Sequence, residues 1–187
     1  AIRRQRQMCI RDSYRHELDL HTAINTVSYK VGNTEYIRQC IASNPDDVVA
    51  MHIKASRPKA ITMELELKLL RQANVVASGN QLIYTGNAEF EKHGKGGVHF
   101  EGRIAVQIKG GTIKAEGKKL YIEKATEVTL LSDVRTNFKN NTFSGYNYKI
   151  KCEKTIELAS KKDFKTLKKK HIDCLLYTSD AADESLV

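Results

Sequence analysis

Residues 14–49, with the sequence YRHELDLHTAINTVSYKVGNTEYIRQCIASNPDDVV, decide the fold. They contain two runs of strand-forming residues, 26–31 and 34–42, which are joined by Gly32-Asn33. Because this dipeptide readily adopts a positive φ, the two runs predict a β-hairpin. Asn44-Pro45-Asp46-Asp47 predicts a second turn, since proline restricts φ and its neighbours hydrogen-bond their own backbone. The chain is therefore expected to continue as strand, turn and strand.

Two later stretches alternate apolar and polar residues with the period of a half-buried strand. In residues 61–69, ITMELELKL, every odd position is apolar. In residues 98–109 the even positions are apolar apart from Gly102, which predicts a bulge or a close backbone approach. The polar residues of the odd positions are expected to face solvent: His99, Glu101, Arg103, Gln107 and Lys109.

The remaining chain indicates shorter strands and then helices. Strands are predicted at residues 48–55, 81–86, 111–115, 119–123 and 128–133, with turn residues between them. A strand about every 8 to 12 residues is typical of a β-sandwich. Apolar residues then follow helical spacing in 152–159 and 163–172, where Asp163 is expected to cap the second helix. The predicted fold class is mainly β, an antiparallel β-sandwich with one or two C-terminal helices.

Composition limits the function classes. The 187 residues suit one domain, the formal net charge is +9, and nine lysines lie between residues 149 and 170. Such a run is usually a solvated helix face, and its alternatives are binding to nucleic acid or to a membrane surface. The sequence shows no recognisable nucleic-acid motif and no apolar run of about 20 residues, so neither a nucleic-acid partner nor a membrane span is predicted. Cys40 and Cys152 are too few to indicate a disulfide framework.

The two ends of the chain do not resemble the protein between them. Residues 3–13 read RRQRQMCIRDS, and residues 174–184 read CLLYTSDAADE. One allowed set of codons for the first segment, read on the opposite strand in a shifted frame, translates into residues 174–183. Both segments resemble the adapter that transposase-based sequencing libraries attach to DNA. Residues 1–13 and 174–187 are therefore expected to be artefactual, and the genuine protein is expected to span about residues 14–173.

The opening stretch resembles the N-terminal domain of glycoside hydrolase family 95, the α-L-fucosidase family. A second matching segment is Lys161-Lys162-Asp163-Phe164 with Leu167 and His171-Ile172-Asp173. The residues of the opening stretch that carry the resemblance are Glu17-Leu18-Asp19-Leu20, Thr22-Ala23, Val27-Ser28-Tyr29, Gly32, Tyr36, Arg38, Ala42-Ser43, Pro45-Asp46 and Val48.

This resemblance implies a domain organisation and a parent activity. Residues 14–148 would be part of a β-sandwich, or super-sandwich, and residues 149–173 a helical linker towards an α/α-barrel catalytic domain that this chain lacks. Phe164, Leu167 and Ile172 are expected to pack on that barrel. The parent enzyme would hydrolyse terminal α-L-fucose from glycans with inversion, using carboxyl groups of the barrel. The sequence leaves open whether the chain is itself an enzyme, and its compartment, although family members can be secreted or periplasmic.

Candidate chemistry within the chain is sparse. Two carboxylate pairs, Glu64/Glu66 and Glu17/Asp19, have the strand spacing that places each pair on one face, but such pairs are usually solvated surface. The histidine pairs His16/His21 and His93/His99 lack the tight cluster that a metal site needs. We therefore predict no catalytic residue, no metal and no cofactor in this chain.

One loop is a candidate for contact with substrate. Thr136-Asn137-Phe138 is similar to a family 95 segment at the end of the last long strand, commonly Thr-Ser-Phe-Asn-Gly, although Asn137 replaces its serine. An amide and an aromatic ring can hydrogen-bond and stack on a sugar, whereas asparagine-rich loops are often plain turns. Another function stays open, a free-standing carbohydrate-binding β-sandwich module, although the absence of tryptophan disfavours it.

Overall fold

The computed structural model describes residues 13–70, 73–88, 97–139, 142–143 and 147–184. Their strands are β1 (Arg15–Asp19), β2 (Ile24–Val31), β3 (Thr34–Ser43), β4 (Val48–Ala55), β5 (Ile61–Glu66), β6 (Ala73–Ser78), β7 (Gln81–Ala88), β8 (Val98–Lys109), β9 (Thr112–Glu116), β10 (Lys119–Ala125), β11 (Glu127–Thr136), β12 (Phe138–Lys139) and β13 (Thr142–Phe143). Their helices are α1 (Tyr148–Ser160) and α2 (Phe164–Glu184).

The strands form one large and one small antiparallel sheet. The large sheet has the order β1-β2-β3-β4-β11-β8-β7-β6, and the small sheet has the order β5-β10-β9. β12 and β13 pair only with each other among the described strands. The hairpin predicted around Gly32 is present, because Val31 pairs with Thr34 and Gly32 has a φ of 57°. The mainly β prediction is confirmed.

The middle of the large sheet is covered on both faces, as the two faces of β4 show. Ile53 and Ala55 belong to a core shared with the small sheet, which includes Leu120 and Ile122 at 0% exposure. Val48 and Ala50 of the same strand instead belong to a core shared with the helices. Residues of opposite parity on a strand point to opposite faces. The molecule is therefore a two-sheet sandwich with a third, helical layer on the outer face of its large sheet.

Gly102 allows a tight contact inside the sandwich. A Cβ atom at this position would lie 2.1 Å from Cζ of Tyr84, which pairs with Gly102 across β7 and β8. The register of β8 with β7 and with β11 runs through Gly102 without interruption. The prediction of a close approach is confirmed, and it arises from an aromatic ring that crosses the glycine rather than from a bulge.

The prediction that the polar residues of β8 face solvent is wrong for the middle of the strand, although His99 and Lys109 near its two ends are exposed. Glu101 is 5% exposed, and the side chain of Arg103 is 14% exposed. Arg103 donates from Nε to Glu101 at 2.9 Å and from Nη1 to Glu153 of α1 at 3.2 Å. Charged groups can be buried when they are paired and hydrogen-bonded. The α1 layer thus covers this face of a central strand, and ion pairing makes that cover possible.

The helices begin at capping residues and pack on the sheet. Asn147 accepts from the N–H of Ile150, and Asp163 accepts from the N–H of Thr166 at 2.8 Å, which confirms the predicted Asp163 cap. Phe164 is 7% exposed and Leu167 is 0% exposed, while Ile172 is partly buried against the same core. The expectation that these three residues need an external barrel for burial was wrong, because the large sheet supplies the partner surface.

Other differences concern boundaries and edges. β5 ends at Glu66, three residues before the predicted end, and Leu69 is exposed. β1 was not predicted as a strand, and all five of its residues are exposed at one edge of the large sheet. The sequence of β1 does not alternate apolar and polar residues, and the strand is recognised only by its backbone pairing with β2. An exposed edge with unpaired backbone groups can associate with other strands.

Candidate functional site

The loop predicted from sequence lies where β11 ends. The backbone N–H of Asn137 donates to the carbonyl oxygen of His99 at 3.0 Å. Its side-chain Oδ1 accepts from the N–H of His99, also at 3.0 Å. Asn137 therefore extends the pairing of β8 with β11 beyond the regular ladder, and its carboxamide oxygen already has a structural partner.

The neighbours of Asn137 form the start of a short hairpin. The hydroxyl of Thr136 donates to the carbonyl oxygen of Phe138 at 3.2 Å. Phe138 is 42% exposed and pairs with Phe143 across β12 and β13. Asn140 and Asn141 lie outside the described residues. The structure thus places Thr136, Asn137 and Phe138 together at one end of the sheet, and their contact with a sugar stays a prediction.

The carboxylate pairs singled out in the sequence form surface ion pairs and turns. Lys119 lies 2.6 Å from Glu64 and 3.6 Å from Glu66, so one lysine bridges this pair. Glu17 pairs with Arg15, and both are exposed. Asp19 accepts from the hydroxyl of Thr22, which lowers the pKa of its carboxyl group together with the backbone N–H of His21. These contacts hold each carboxylate on the surface.

The histidines singled out in the sequence are dispersed. His16 shares a hydrogen bond with Asn25, and His21 is exposed in the turn after β1. His93 lies outside the described residues. Across the part of the chain that the structure describes, no group of three or more His, Cys, Asp or Glu side chains could hold a metal ion. Neither helix within those ranges is long and apolar enough to cross a membrane.

A cavity lies on the helical side of the large sheet. It has a volume of about 830 Å³ and lies between the strands β3, β4, β8 and β11 and the junction of α1 with α2. We call it the lysine cleft, because six lysines line it: Lys54, Lys109, Lys161, Lys162, Lys165 and Lys168. Its walls thus combine strands of the large sheet with the beginning of α2.

His52 lines the lysine cleft and contacts both the sheet and α2. Its ring stacks on Phe164 of α2, with centroids 4.6 Å apart and planes inclined by 9°. Nδ1 lies 2.9 Å from the hydroxyl of Thr129, and Nε2 lies 3.7 Å from Glu127. Burial lowers the pKa of His52, and the charges of nearby lysines lower it further against the opposing effect of Glu127. A neutral ring suits this stacked and partly dehydrated position.

The lysines of the cleft outnumber its carboxylates. Lys54 of β4 and Lys109 of β8 each lie 3.6 Å from Glu127, so two cations share one anion. The other carboxylate in the lining, Asp163, is the cap of α2. Hydrolysis of a glycoside needs two carboxyl groups that face the scissile bond. Both carboxylates of this cleft already have structural partners.

Three polar contacts hold the junction of α1 and α2 beside the cleft. Gln107 donates from Nε2 to the carbonyl oxygens of Ser160 at 2.7 Å and Lys162 at 3.2 Å. These carbonyls lie at the end of α1, where the helix itself supplies no partner. Lys162 also forms an ion pair with Asp46, whose side chain is 1% exposed. The junction is therefore held against the sheet by polar contacts on both sides.

Sequence reasoning did not find this cleft. One signal was available, because His52 shares strand parity with Val48 and Ala50 and so falls on a buried face of β4. The predicted solvated face of residues 149–170 is largely confirmed, because seven of its nine lysines are exposed. The approach of Lys162, Lys165 and Lys168 to the strands of the large sheet depends on how α2 packs, and contacts across more than a hundred residues have no local sequence pattern.

Comparison with known proteins assigns the chain to a family. The model of the glycosyl hydrolase family 65 N-terminal domain matches residues 5–141. "Alpha-L-fucosidase 2" of Arabidopsis thaliana is 29% identical over 186 residues, which cover 86% of this chain and 22% of the relative. "Probable alpha-fucosidase A" of Aspergillus niger is 28% identical over 182 residues, with the same shares of both chains. The chain therefore spans 22% of the length of these relatives.

A solved structure shares the fold. "Putative kojibiose phosphorylase from human microbiome" superposes with a TM-score of 0.57 at 13% identity, over 87% of this chain and 24% of the other. The resemblance to the N-terminal domain of a glycoside hydrolase is confirmed by these findings together. Because the family model covers most of the chain and every strand of both packed sheets, the chain belongs to the glycosyl hydrolase family 65 N-terminal domain family.

Proposed function

We propose that this chain is the non-catalytic N-terminal β-sandwich of a family 95 glycoside hydrolase that removes terminal α-L-fucose from glycans with inversion. The observation that carries the proposal is the match to two relatives named as α-fucosidases, each across 86% of this chain. The family model supports the domain position, since it describes an N-terminal domain. The catalytic carboxyl groups would then belong to the part of the parent protein beyond this chain.

The charged groups of the described residues support a structural role. Glu101 pairs with Arg103, and Asp133, whose side chain is 7% exposed, pairs with Arg135 at 2.8 Å. The bridge from Lys119 occupies the only carboxylate pair within β5. An inverting pair needs one carboxyl group free to protonate the leaving oxygen and another free to activate water. Carboxylates held in such ion pairs are not free to act as a general acid or base, so their role here is structural.

Within this proposal, residues 14–148 form the sandwich and residues 149–173 form the linker towards the catalytic domain. The family model ends at residue 141, shortly before α1 begins at Tyr148, which supports a boundary in this region. Thr136, Asn137 and Phe138 would contact either the substrate or the catalytic domain. The exposed ring of Phe138 is the part of that loop best suited to such a contact.

The experiment uses the full-length protein that contains this chain. It should hydrolyse an aryl α-L-fucoside faster than the matching α- and β-galactosides. Proton NMR during the first minutes should show the anomeric signal of β-L-fucose before mutarotation, as inversion requires. A preference for another sugar, or α-L-fucose as the first product, would contradict the proposal.

A further inference from the structure

We propose that the lysine cleft is a binding site for an oxyanion, either a free sulfate or phosphate ion or the same group carried on a sugar. This inference goes beyond the catalytic function proposed above, because it assigns ligand binding to the N-terminal domain itself. Three features of the cleft support this assignment: its excess of lysines, its concave shape, and its position between the sheet and α2.

The cleft carries more positive than negative charge. Glu127 is shared by Lys54 and Lys109, so one negative charge faces two positive ones. Lys168 donates to the neutral side chain of Gln39 at 3.2 Å, and that contact leaves its charge uncompensated. Lys165 lines the same cavity, is exposed, and is offset in part by the neighbouring carboxylate of Asp163, so the lysines of the cleft still exceed its carboxylates. His52 supports this field, since nearby lysine charges contribute to lowering its pKa.

The shape of the cleft concentrates this charge. A volume of about 830 Å³ is within the range of small-molecule sites and exceeds what a single ion needs. Concave surfaces with an excess of one sign of charge concentrate the electrostatic field and attract counter-ions, and here six lysines line the cleft with two carboxylates. Gln39 and Thr129 add neutral hydrogen-bonding groups to the lysines. A compact group with several acceptor oxygens fits this combination better than an extended polymer.

The ligand would touch both the sheet and the linker helix. Lys54 and Lys109 belong to β4 and β8, whereas Lys165 and Lys168 belong to the first turns of α2. An oxyanion between them would reduce repulsion across the cleft and hold α2 on the sheet. Binding should therefore raise the melting temperature of the chain, because a ligand that binds only the folded state stabilises it.

The test is a titration of the 187-residue chain with inorganic sulfate at constant ionic strength, followed by two-dimensional NMR of the backbone amides. Saturable shifts are expected in β4, in β11 and at the start of α2. Parallel titrations with a monosulfated hexose and with the unsulfated hexose separate the two sources of the group. Equal affinity for free and sugar-borne sulfate indicates the ion, and tighter binding of the sulfated sugar indicates a sugar ligand.

Three variants make the outcome decisive. The double variant Lys54→Gln/Lys165→Gln, which removes one cation from each wall, should weaken sulfate binding by about fivefold or more. Glu127→Gln should tighten it by about fivefold, because it removes the carboxylate shared by two lysines. Lys118→Gln is the matched control, since Lys118 is exposed between β9 and β10 on the opposite side of the large sheet.

The double variant and Glu127→Gln are expected to change the sulfate affinity in opposite directions. The proposal can therefore be refuted even if one of these variants folds poorly. Amide spectra without ligand report whether each variant retains its fold. Non-saturable shifts, equal affinity in the double variant and the control, or weaker binding by Glu127→Gln would each overturn the oxyanion site.

Discussion

Leu167 tests whether α2 is part of the folded core or only a connector. Its side chain is 0% exposed within the core that the helices share with the large sheet, which contains Ile41, Ala50 and Leu131. Removal of a fully buried leucine side chain costs about 2–5 kcal/mol of unfolding free energy, depending on how far the cavity relaxes. Leu167→Ala should therefore destabilise the chain by about 3 kcal/mol. For a domain of this size the melting temperature should fall by roughly 6–12 °C.

Leu158→Ala is the matched control. It makes the same chemical change in the neighbouring helix α1, but Leu158 is 59% exposed. A substitution at such a surface position changes stability by about 0.5 kcal/mol or less. Urea unfolding followed by circular dichroism measures both variants, with the slope of the transition used to check that the unfolding process is unchanged. If both variants lie within about 0.5 kcal/mol of wild type, α2 does not stabilise the sandwich.

Three further predictions concern single positions. Gly102→Ala should cost about 1–3 kcal/mol in urea unfolding, because its Cβ would meet the ring of Tyr84, and a double-mutant cycle with Tyr84→Ala should show that the costs are not additive. Burial lowers the pKa of His52 in the folded state, so the unfolded state takes up the proton first. Stability should be intact above the unfolded pKa of about 6.5 and decrease as pH falls towards the folded pKa, and His52→Gln should make the urea midpoint less sensitive to pH in this window. Burial and nearby carboxylates raise the pKa of Cys152 to about 12, so an aromatic disulfide reagent near pH 8 should modify Cys152 only after denaturation, and rapid labelling of the native chain would contradict its buried position.

Sequence periodicity predicted the sandwich where the pattern was strong. β8 matches its predicted bounds of residues 98–109, and the turn at Gly32 forms as expected. The inward residues of β5 also face the other sheet, as Ile61 at 5% exposure shows. These elements depend on local propensity and on alternation with a period of two, which a single sequence reveals directly.

The helical layer could not be predicted in the same way. The odd residues of β8 alternate as a solvent face would, yet α1 covers Glu101 and Arg103 because Glu153 completes their ion pairs. That cover comes from a segment about fifty residues later in the chain. The position of Thr136–Phe138 at a strand end agrees with the family resemblance, whereas the lysine cleft requires the docking of α2. The strands and turns that were predicted depend on local propensity. The helical layer and the cleft were missed because they depend on packing between distant segments of the chain.

The central claim is that this chain supports a fucosidase without performing the hydrolysis itself. The direct measurement compares aryl α-L-fucoside hydrolysis by the full-length parent protein with hydrolysis by the 187-residue chain at the same molar concentration. We expect release of the aryl group by the parent and no rate above the buffer blank for the chain, because the carboxylates Glu64, Glu66, Glu101, Asp133 and Asp163 are held in ion pairs or in a helix cap. Hydrolysis by the purified chain that persists through repeated chromatography, or a parent protein without activity on the fucoside, would contradict it.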